Sequence, residues 1–241
     1  MVEYLFISDL HLSPERPDTT RLFLRFLRER AAQAASLFIL GDLFDAWVGD
    51  DDKRPPIPEI VAAMKHLSTS GCQLFFISGN RDFLIGDAFA RATGCSLLPD
   101  THVLPLAGFR ALLMHGDLLC SDDRDYQAWR LRLRHPDFIG EFLSKTIAER
   151  IAIAADYRKR SGEAVSLKAA DIVDANQATV EAYLRDAGAG LLIHGHTHRP
   201  ANHRFELDGA GALRLVLPEW QDHAGGYLSV RGDAIGRYVF V

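Results

Sequence analysis

Residues 5–11 read LFISDLH, a hydrophobic run that leads straight into a carboxylate and an imidazole two positions apart. Four more segments repeat the arrangement: LFILGDLF at 37–44, LFFISGNRD at 74–82, ALLMHGD at 111–117 and LLIHGHTH at 191–198. In an open α/β sheet the carboxyl ends of the strands face the binding crevice, so loops of this kind can converge on one site. One Asp after a strand says little. Five strand ends bearing oxygen or imidazole donors say a great deal.

Between these segments the pattern alternates. Val2–Ile7, Ser36–Leu40, Cys72–Ile77, Phe109–Met114 and Leu191–Ile193 read as buried strands. Thr20–Ala34, Ile57–Ser68 and Asp82–Ala92 read as helices, the first with an apolar face at Leu22, Phe23, Phe26 and Leu27. Such alternation predicts an α/β sheet covered by helices. Residues 121–188 read as helix almost throughout, and Ile139, Leu143, Ile147 and Ile151 fall at i, i+4 spacing on one helix face. Arg204–Leu207, Leu213–Leu217, Tyr227–Val230 and Tyr238–Val241, divided by Gly-rich turns, read as antiparallel hairpins. The expectation is one α/β domain over 1–241 with a helical insertion at about 121–188, either packed on the sheet domain or serving as a lid.

The chain has 241 residues, 48% hydrophobic and 24% charged, the balance of an ordinary globular protein. A net charge of −5 argues against coating a nucleic-acid backbone, so no nucleic acid is expected as partner. A small anionic substrate remains compatible, because bound cations would dominate the local field. Cys72, Cys95 and Cys120 are scattered and read as buried thiols in a reducing compartment. The N-terminal MVEYLFISDL lacks a basic leader and no apolar run is long enough to span a bilayer, so the default placement is cytoplasmic. No obligate protein partner is indicated. Residues 124–168 carry ten Lys/Arg against six Asp/Glu, which is +4 and leaves −9 on the rest of the chain. With the apolar residues beside them, they would give a lid an apolar groove and a basic rim.

The strand ends nominate Asp9, His11, Asp42, Asn80, His115, His196 and His198 as metal ligands. Two divalent cations about 3.5–4 Å apart need a shared carboxylate and several nitrogen or oxygen donors. Asp42 is the natural bridge. Imidazole and carboxylate without thiolate suit Mn, Fe, Zn or Co. His194 reads as a core or supporting residue behind the ligands. The acidic run Gly49–Asp52 lacks EF-hand spacing and reads as loop capping.

The ordered set D-x-H, GD, GN, H and GHxH, here from Asp9 to His198, resembles the calcineurin-like metallophosphoesterase superfamily. The resemblance implies a four-layer α/β sandwich. It also implies that Asp9, His11, Asp42 and His198 bind one metal, that Asp42, Asn80, His115 and His196 bind the other, and that a hydroxide held between them attacks phosphorus.

Many members of that superfamily carry GNHE; here the run is GNRDF, with Arg81 where the His would stand. Arginine stays protonated, so it suits gripping phosphate oxygens better than transferring a proton; a structural ion pair to a neighbouring Asp such as Asp82 is the alternative. With ISDLHL, LGDLFDAWVGDD, MHGDLLCSDD and IHGHTHRPA, nearly end to end, the chain is similar to the UDP-2,3-diacylglucosamine pyrophosphohydrolases of lipid A biosynthesis. That narrower resemblance implies cleavage of UDP-2,3-diacylglucosamine to UMP and 2,3-diacylglucosamine 1-phosphate, with Mn²⁺ as the usual cofactor. It implies catalytic roles for Asn80, Arg81 and His196, and substrate contacts from those three with Asp123, Tyr126, Ser161 and Lys168. It further implies a lid that holds the acyl chains and peripheral attachment to the cytoplasmic face of the inner membrane. Val165 departs from the pattern, since some of these enzymes have Asn there. The rival readings are a related phosphodiesterase or nucleotide-sugar pyrophosphatase acting on a soluble substrate, and a non-catalytic scaffold, which predicts lost ligands.

Overall fold

The computed structural model describes residues 2–106, 108–166, 172 and 174–241, apart from the side chains of 161–166. The first of two sheets contains β1 (Glu3–Ile7), β2 (Ser36–Leu40), β3 (Gln73–Ile77) and β4 (Cys95–Leu98) as parallel neighbours. The second begins with β5 (Thr101–Leu106) antiparallel to β6 (Phe109–Met114); then β7 (Leu191–His194) runs parallel to β6. Next to β7 lies β9 (Ala210–Val216), also parallel, and β8 (Asn202–Leu207) closes that edge antiparallel to β9. β10 (Gly225–Arg231) returns to the first sheet, antiparallel to both β1 and β11 (Ala234–Phe240).

β1, β2, β6 and β7 are apolar without alternation because both of their faces are covered. Leu5, Ile7, Leu37, Ile39, Leu74 and Phe76 pack under α1 (Pro17–Glu29), α2 (Ile57–Thr69) and α3 (Asp87–Thr93). The intervening Phe6, Phe38, Leu40 and Ile77 meet Ala111, Leu113, Leu191, Ile193 and Leu215 of the second sheet. Leu112, Met114 and Leu192, on the far face of that sheet, pack on Val180 and Leu184 of α7 (Gln177–Ala187). The result is the expected helix–sheet–sheet–helix sandwich. Phe38 sits at its centre, stacked on Phe6 at 5.1 Å and on Phe75 at 4.6 Å between ring centroids. Truncating it to Ala would leave a cavity between the sheets and cost about 3–5 kcal/mol.

Three local expectations are corrected. The helix expected over Asp82–Ala92 begins only at Asp87. Asp82 instead turns inward to accept hydrogen bonds from the Leu43 and Gly79 N–H groups at 2.7 and 2.8 Å. Asp50, from the acidic run, caps the shortened helix by accepting from the N–H groups of Gly86 and Phe89 at 3.1 and 2.9 Å. The residues Ile139, Leu143, Ile147 and Ile151 do not share one helix. Between β6 and α7 lie α4 (Arg124–Leu133), α5 (Pro136–Leu143) and α6 (Ile147–Ser166), and the helix is interrupted at 144–146. Thr146 and Glu149 cap α6 reciprocally: the Thr146 N–H donates to Glu149 Oε2 at 2.8 Å, and the Glu149 N–H donates to Thr146 Oγ1 at 3.4 Å. The hairpin expectation holds for β8–β9 and β10–β11, but β9 also pairs in parallel with β7 and the two hairpins lie in different sheets. β4 and β5 escaped the sequence reading; β5 carries Pro105, which an edge strand tolerates. No helix among the described residues is long and apolar enough to cross a membrane.

Candidate metal centre

All seven nominated ligands lie on the loops after β1, β2, β3, β6 and β7, at one end of the paired sheets. Asp9, His11 and His198 offer donor atoms that lie within 4.8 Å of one another, and so do Asp9, Asp42 and His115. Asn80 joins the second group: its Oδ1 lies 2.9 Å from His115 Nε2 and 3.0 Å from His196 Nδ1, and those two nitrogens are 3.2 Å apart. Asp42 Oδ1 lies 3.7 Å from His115 Nε2.

The backbone at these loops is unusual. Asp9, His11, Asp42, His196 and His198 have φ of 56°, 49°, 51°, 67° and 52°. The left-handed region costs a non-glycine residue on the order of 1 kcal/mol or more, so neighbouring structure must hold these five in place. Main-chain bonds between the first two loops do so, with Leu10 and His11 N–H donating to the Asp42 carbonyl at 2.9 and 3.0 Å. Close approach completes the arrangement. A Cβ on Gly79 would stand 2.1 Å from Asp42 Oδ1, and one on Gly195 would stand 2.2 Å from both Asp9 Oδ2 and Ser8 Oγ. Those glycines are therefore required by packing.

The electrostatics fit cations. Asp9 and Asp42 are fully buried carboxylates. Burial opposes the charge of Asp9, but His198, His115 and the Ser8 hydroxyl hold it ionised. Burial, reinforced by the Asp9 charge, pushes Asp42 upward. Burial pulls His11 and His196 down to about 4, which leaves both imidazoles neutral and able to donate a lone pair. His115 Nδ1 lies 2.9 Å from the Leu40 carbonyl oxygen, which turns its Nε2 toward Asn80 Oδ1 and His196 Nδ1; burial opposes its charge, but the Asp42 and Asp9 carboxylates push its pKa up. Several lone pairs crowd one spot. A cation at that spot would give those donors a common partner.

Comparison with known proteins agrees with this geometry. Residues 3–200 match the model of the calcineurin-like phosphoesterases. The chain belongs to the calcineurin-like phosphoesterase family. The family works with divalent metals, and the two acid–histidine clusters are where this member could hold them. The chain is 48% identical over 233 residues to the UDP-2,3-diacylglucosamine hydrolase of Edwardsiella ictaluri, covering 96% of this chain and 89% of that one. It is 48% identical over 239 residues to the protein of the same name from Stenotrophomonas maltophilia, covering 96% and 95%. Among solved structures, vacuolar protein sorting 29 from Cryptosporidium parvum superposes with a TM-score of 0.48 at 16% identity, covering 99% of this chain and 90% of that one.

Beside the clusters, a cavity opens under α4, α5 and α6. The core contributes Trp47, Asn80, Arg81, Phe83 and Leu84; the inserted helices contribute Asp123, Tyr126, Trp129, Leu133, Phe138, Phe142 and Tyr157. Arg81 forms no ion pair among the described residues, so its guanidinium is available to the cavity. The alternative of a bond to Asp82 does not hold, because Asp82 is occupied by main-chain N–H groups. Asp123 lines the cavity and also caps α4, accepting from the Tyr126 N–H at 3.1 Å. The Tyr126 ring lies 6.0 Å from that of His196, and its hydroxyl donates to Asp117 Oδ2 at 2.8 Å. The side chains of Ser161 and Val165, and all of Lys168, lie outside the described residues. His194 is fully buried behind the ligands, as expected, with its Nδ1 2.8 Å from the Gly195 carbonyl oxygen.

Sequence reasoning passed over several residues that shape the site. Asp117, which follows the HG of His115-Gly116, accepts from Arg130 Nε at 2.6 Å, and Arg130 Nη2 donates to Asp100 at 2.7 Å. Arg134 donates to the Gly79 carbonyl at 2.9 Å. Arg158 pairs with Asp45, and Arg150 pairs with Asp51 through both carboxylate oxygens. Four of the ten basic residues in 124–168 thus tie the inserted helices to the core instead of forming a free rim. The HGD triplet was a legible hint for Asp117; nothing local marked the arginines' partners.

Proposed function

We propose that this chain hydrolyses the pyrophosphate bridge of UDP-2,3-diacylglucosamine. Water adds across the P–O–P linkage, one phosphoryl group leaving with uridine as UMP and the other remaining on the sugar as 2,3-diacylglucosamine 1-phosphate, a step of lipid A biosynthesis. The observation that carries this reading is the continuity of the site: Asn80 and Arg81 belong both to the ligand loops and to the wall of an apolar, aromatic cavity. A phosphoanhydride between a nucleotide and an acylated sugar fits that sequence of surfaces. The names of the two relatives agree with it.

In this reading Asp9, His11, Asp42 and His198 hold one cation, and Asp42, Asn80, His115 and His196 hold the other, with Mn²⁺ as the metal. Divalent cations there supply Lewis-acid polarisation of phosphoryl oxygens and ease the ionisation of water near neutral pH. Arg81, always protonated, neutralises charge that grows on the bridge as it breaks, and its planar fork fixes two phosphate oxygens at once. Asp123 and Tyr126 orient the sugar side, and Ser161 and Lys168 add polar contacts to it. Trp47, Phe83, Phe138 and Phe142 exclude water and take up acyl chain. The inserted helices act as a lid. It exposes Leu131 and Leu143, which supports peripheral attachment to the cytoplasmic leaflet of the inner membrane.

The test compares products from UDP-2,3-diacylglucosamine and from the deacylated UDP-sugar, each with Mn²⁺ and with chelator. The expected result is Mn²⁺-dependent release of UMP from the acylated substrate alone. Equal rates on both substrates would favour a phosphodiesterase or pyrophosphatase of soluble nucleotides, a reading that leaves the aromatic cavity without a use.

A further inference from the structure

We infer that Glu219 is a positioning residue for one of the two cation sites, acting through the imidazole of His198. The inference rests on the two-metal reading above. Glu219 lies in the turn that leaves β9, between Pro218 and Trp220. Trp220 anchors that turn: it is fully buried, meets Phe26 edge-on at 5.3 Å, and donates its Nε1–H to the Gly226 carbonyl at 3.0 Å. The Trp220 N–H donates to the Asp9 carbonyl at 3.0 Å, and the Leu217 N–H donates to the His194 carbonyl at 2.7 Å. The turn is therefore fixed against the same two loops that carry Asp9 and His198.

From this fixed place, Glu219 Oε2 lies 3.1 Å from His198 Nδ1. On the opposite side of the ring, His198 Nε2 lies 3.4 Å from both Asp9 Oδ1 and His11 Nε2. One ring nitrogen meets a carboxylate and the other faces the cation site. A proton on Nδ1 donated to Glu219 leaves the Nε2 lone pair for a metal, and a carboxylate behind a ligating imidazole both fixes its tautomer and raises its basicity. The His198 side chain is 36% exposed, so without Glu219 its ring could turn and offer either nitrogen.

The other site is held differently. His115 is oriented by the Leu40 carbonyl, a main-chain group that no side-chain substitution removes. The two sites therefore differ in how replaceable their support is, and a change at Glu219 should weaken one cation and spare the other.

The experiment uses the full chain, stripped with chelator and titrated with Mn²⁺, with free Mn²⁺ read by electron paramagnetic resonance and stoichiometry by calorimetry. The parent is expected to bind two Mn²⁺. Glu219→Ala should weaken one site by about 10–100-fold and leave the other unchanged, with the metal-free chain still folded by circular dichroism. Glu219→Gln keeps an acceptor oxygen without the charge and should recover part of the loss. Glu219→Ala added to His198→Ala should weaken binding no further. Two unchanged Mn²⁺ affinities in Glu219→Ala would overturn the inference. So would loss of both sites together with a lower metal-free melting temperature, which is the mark of a merely structural role. A parent chain that binds fewer than two Mn²⁺ would instead overturn the two-metal reading itself.

Discussion

Arg150 of α6 and Asp51 of the loop after β2 form a two-pronged ion pair, at 2.7 and 2.6 Å, that pins the inserted helices to the core. Arg150 also donates from Nη1 to the Val48 carbonyl and from Nε to the Lys145 carbonyl, each at 2.9 Å, so one buried guanidinium joins three stretches of chain. Asp51 is exposed enough to be hydrated if its partner is lost; the two carbonyls are what would be stranded. Arg150→Ala is expected to lower stability by about 1–2 kcal/mol in urea unfolding. Turnover of the acylated substrate should fall more than turnover of a small chromogenic phosphodiester, because only the former needs the helices seated.

Asp42 is buried in one of the two acid–histidine groups, beside Asp9, which belongs to both. Asp42→Ala and His115→Ala should each reduce Mn²⁺-dependent turnover by more than about 100-fold, beyond what loss of an outer partner costs. Unimpaired turnover of either variant would refute the ligand assignment.

Arg81 tests the phosphate grip. Arg81→Ala is expected to lower kcat/KM by about 10²–10³-fold, the effect of losing one charge-stabilising donor. Arg81→Lys should recover only a small part, because an ammonium cannot reproduce the planar fork. Full recovery by lysine would leave a simple positive charge as the whole contribution.

Glu3 predicts a pH dependence away from the site. Burial opposes its charge, yet hydrogen bonds from Arg30, Arg231 and Ser229 lower it from an ordinary 4.5 to about 2. A depressed carboxyl stabilises the fold above its unfolded value, and that stability is lost as pH falls from about 4.5 toward 2. Glu3→Gln should therefore cost about 2 kcal/mol at pH 7 and flatten the loss between those limits, as followed by denaturant unfolding across the acid range.

The exposed face of α4 offers a test that leaves the fold alone. Leu131 is 74% exposed, so Leu131→Glu should leave the melting temperature unchanged. Co-sedimentation with vesicles containing anionic lipid should drop several-fold. Unchanged sedimentation would remove this face from any membrane role.

The ligand loops were legible because each is announced by its own strand: LFIL before Gly41-Asp42 is a local signal that needs no partner to be read. The sandwich was legible for a similar reason, since unbroken apolar strands must be covered on both faces. Breaks inside the insertion were harder. The reciprocal bonds of Thr146 and Glu149 outweigh an i, i+4 apolar pattern that would otherwise run through them, and Asp82 leaves a helix-forming stretch because two main-chain N–H groups are waiting for it.

By itself, the sequence determined which donor atoms this protein has, their order, and the strands that deliver them, because residue type and hydrophobic period are local properties. Only the tertiary structure decided which side chains meet. Glu219 meets His198 and Asp117 meets Arg130 across loops that lie far apart in the chain or on different elements, and the left-handed backbone at Asp9, His11, Asp42, His196 and His198 is imposed by neighbouring loops. Such pairings depend on how two sheets and an inserted helical block pack, and no single segment encodes that.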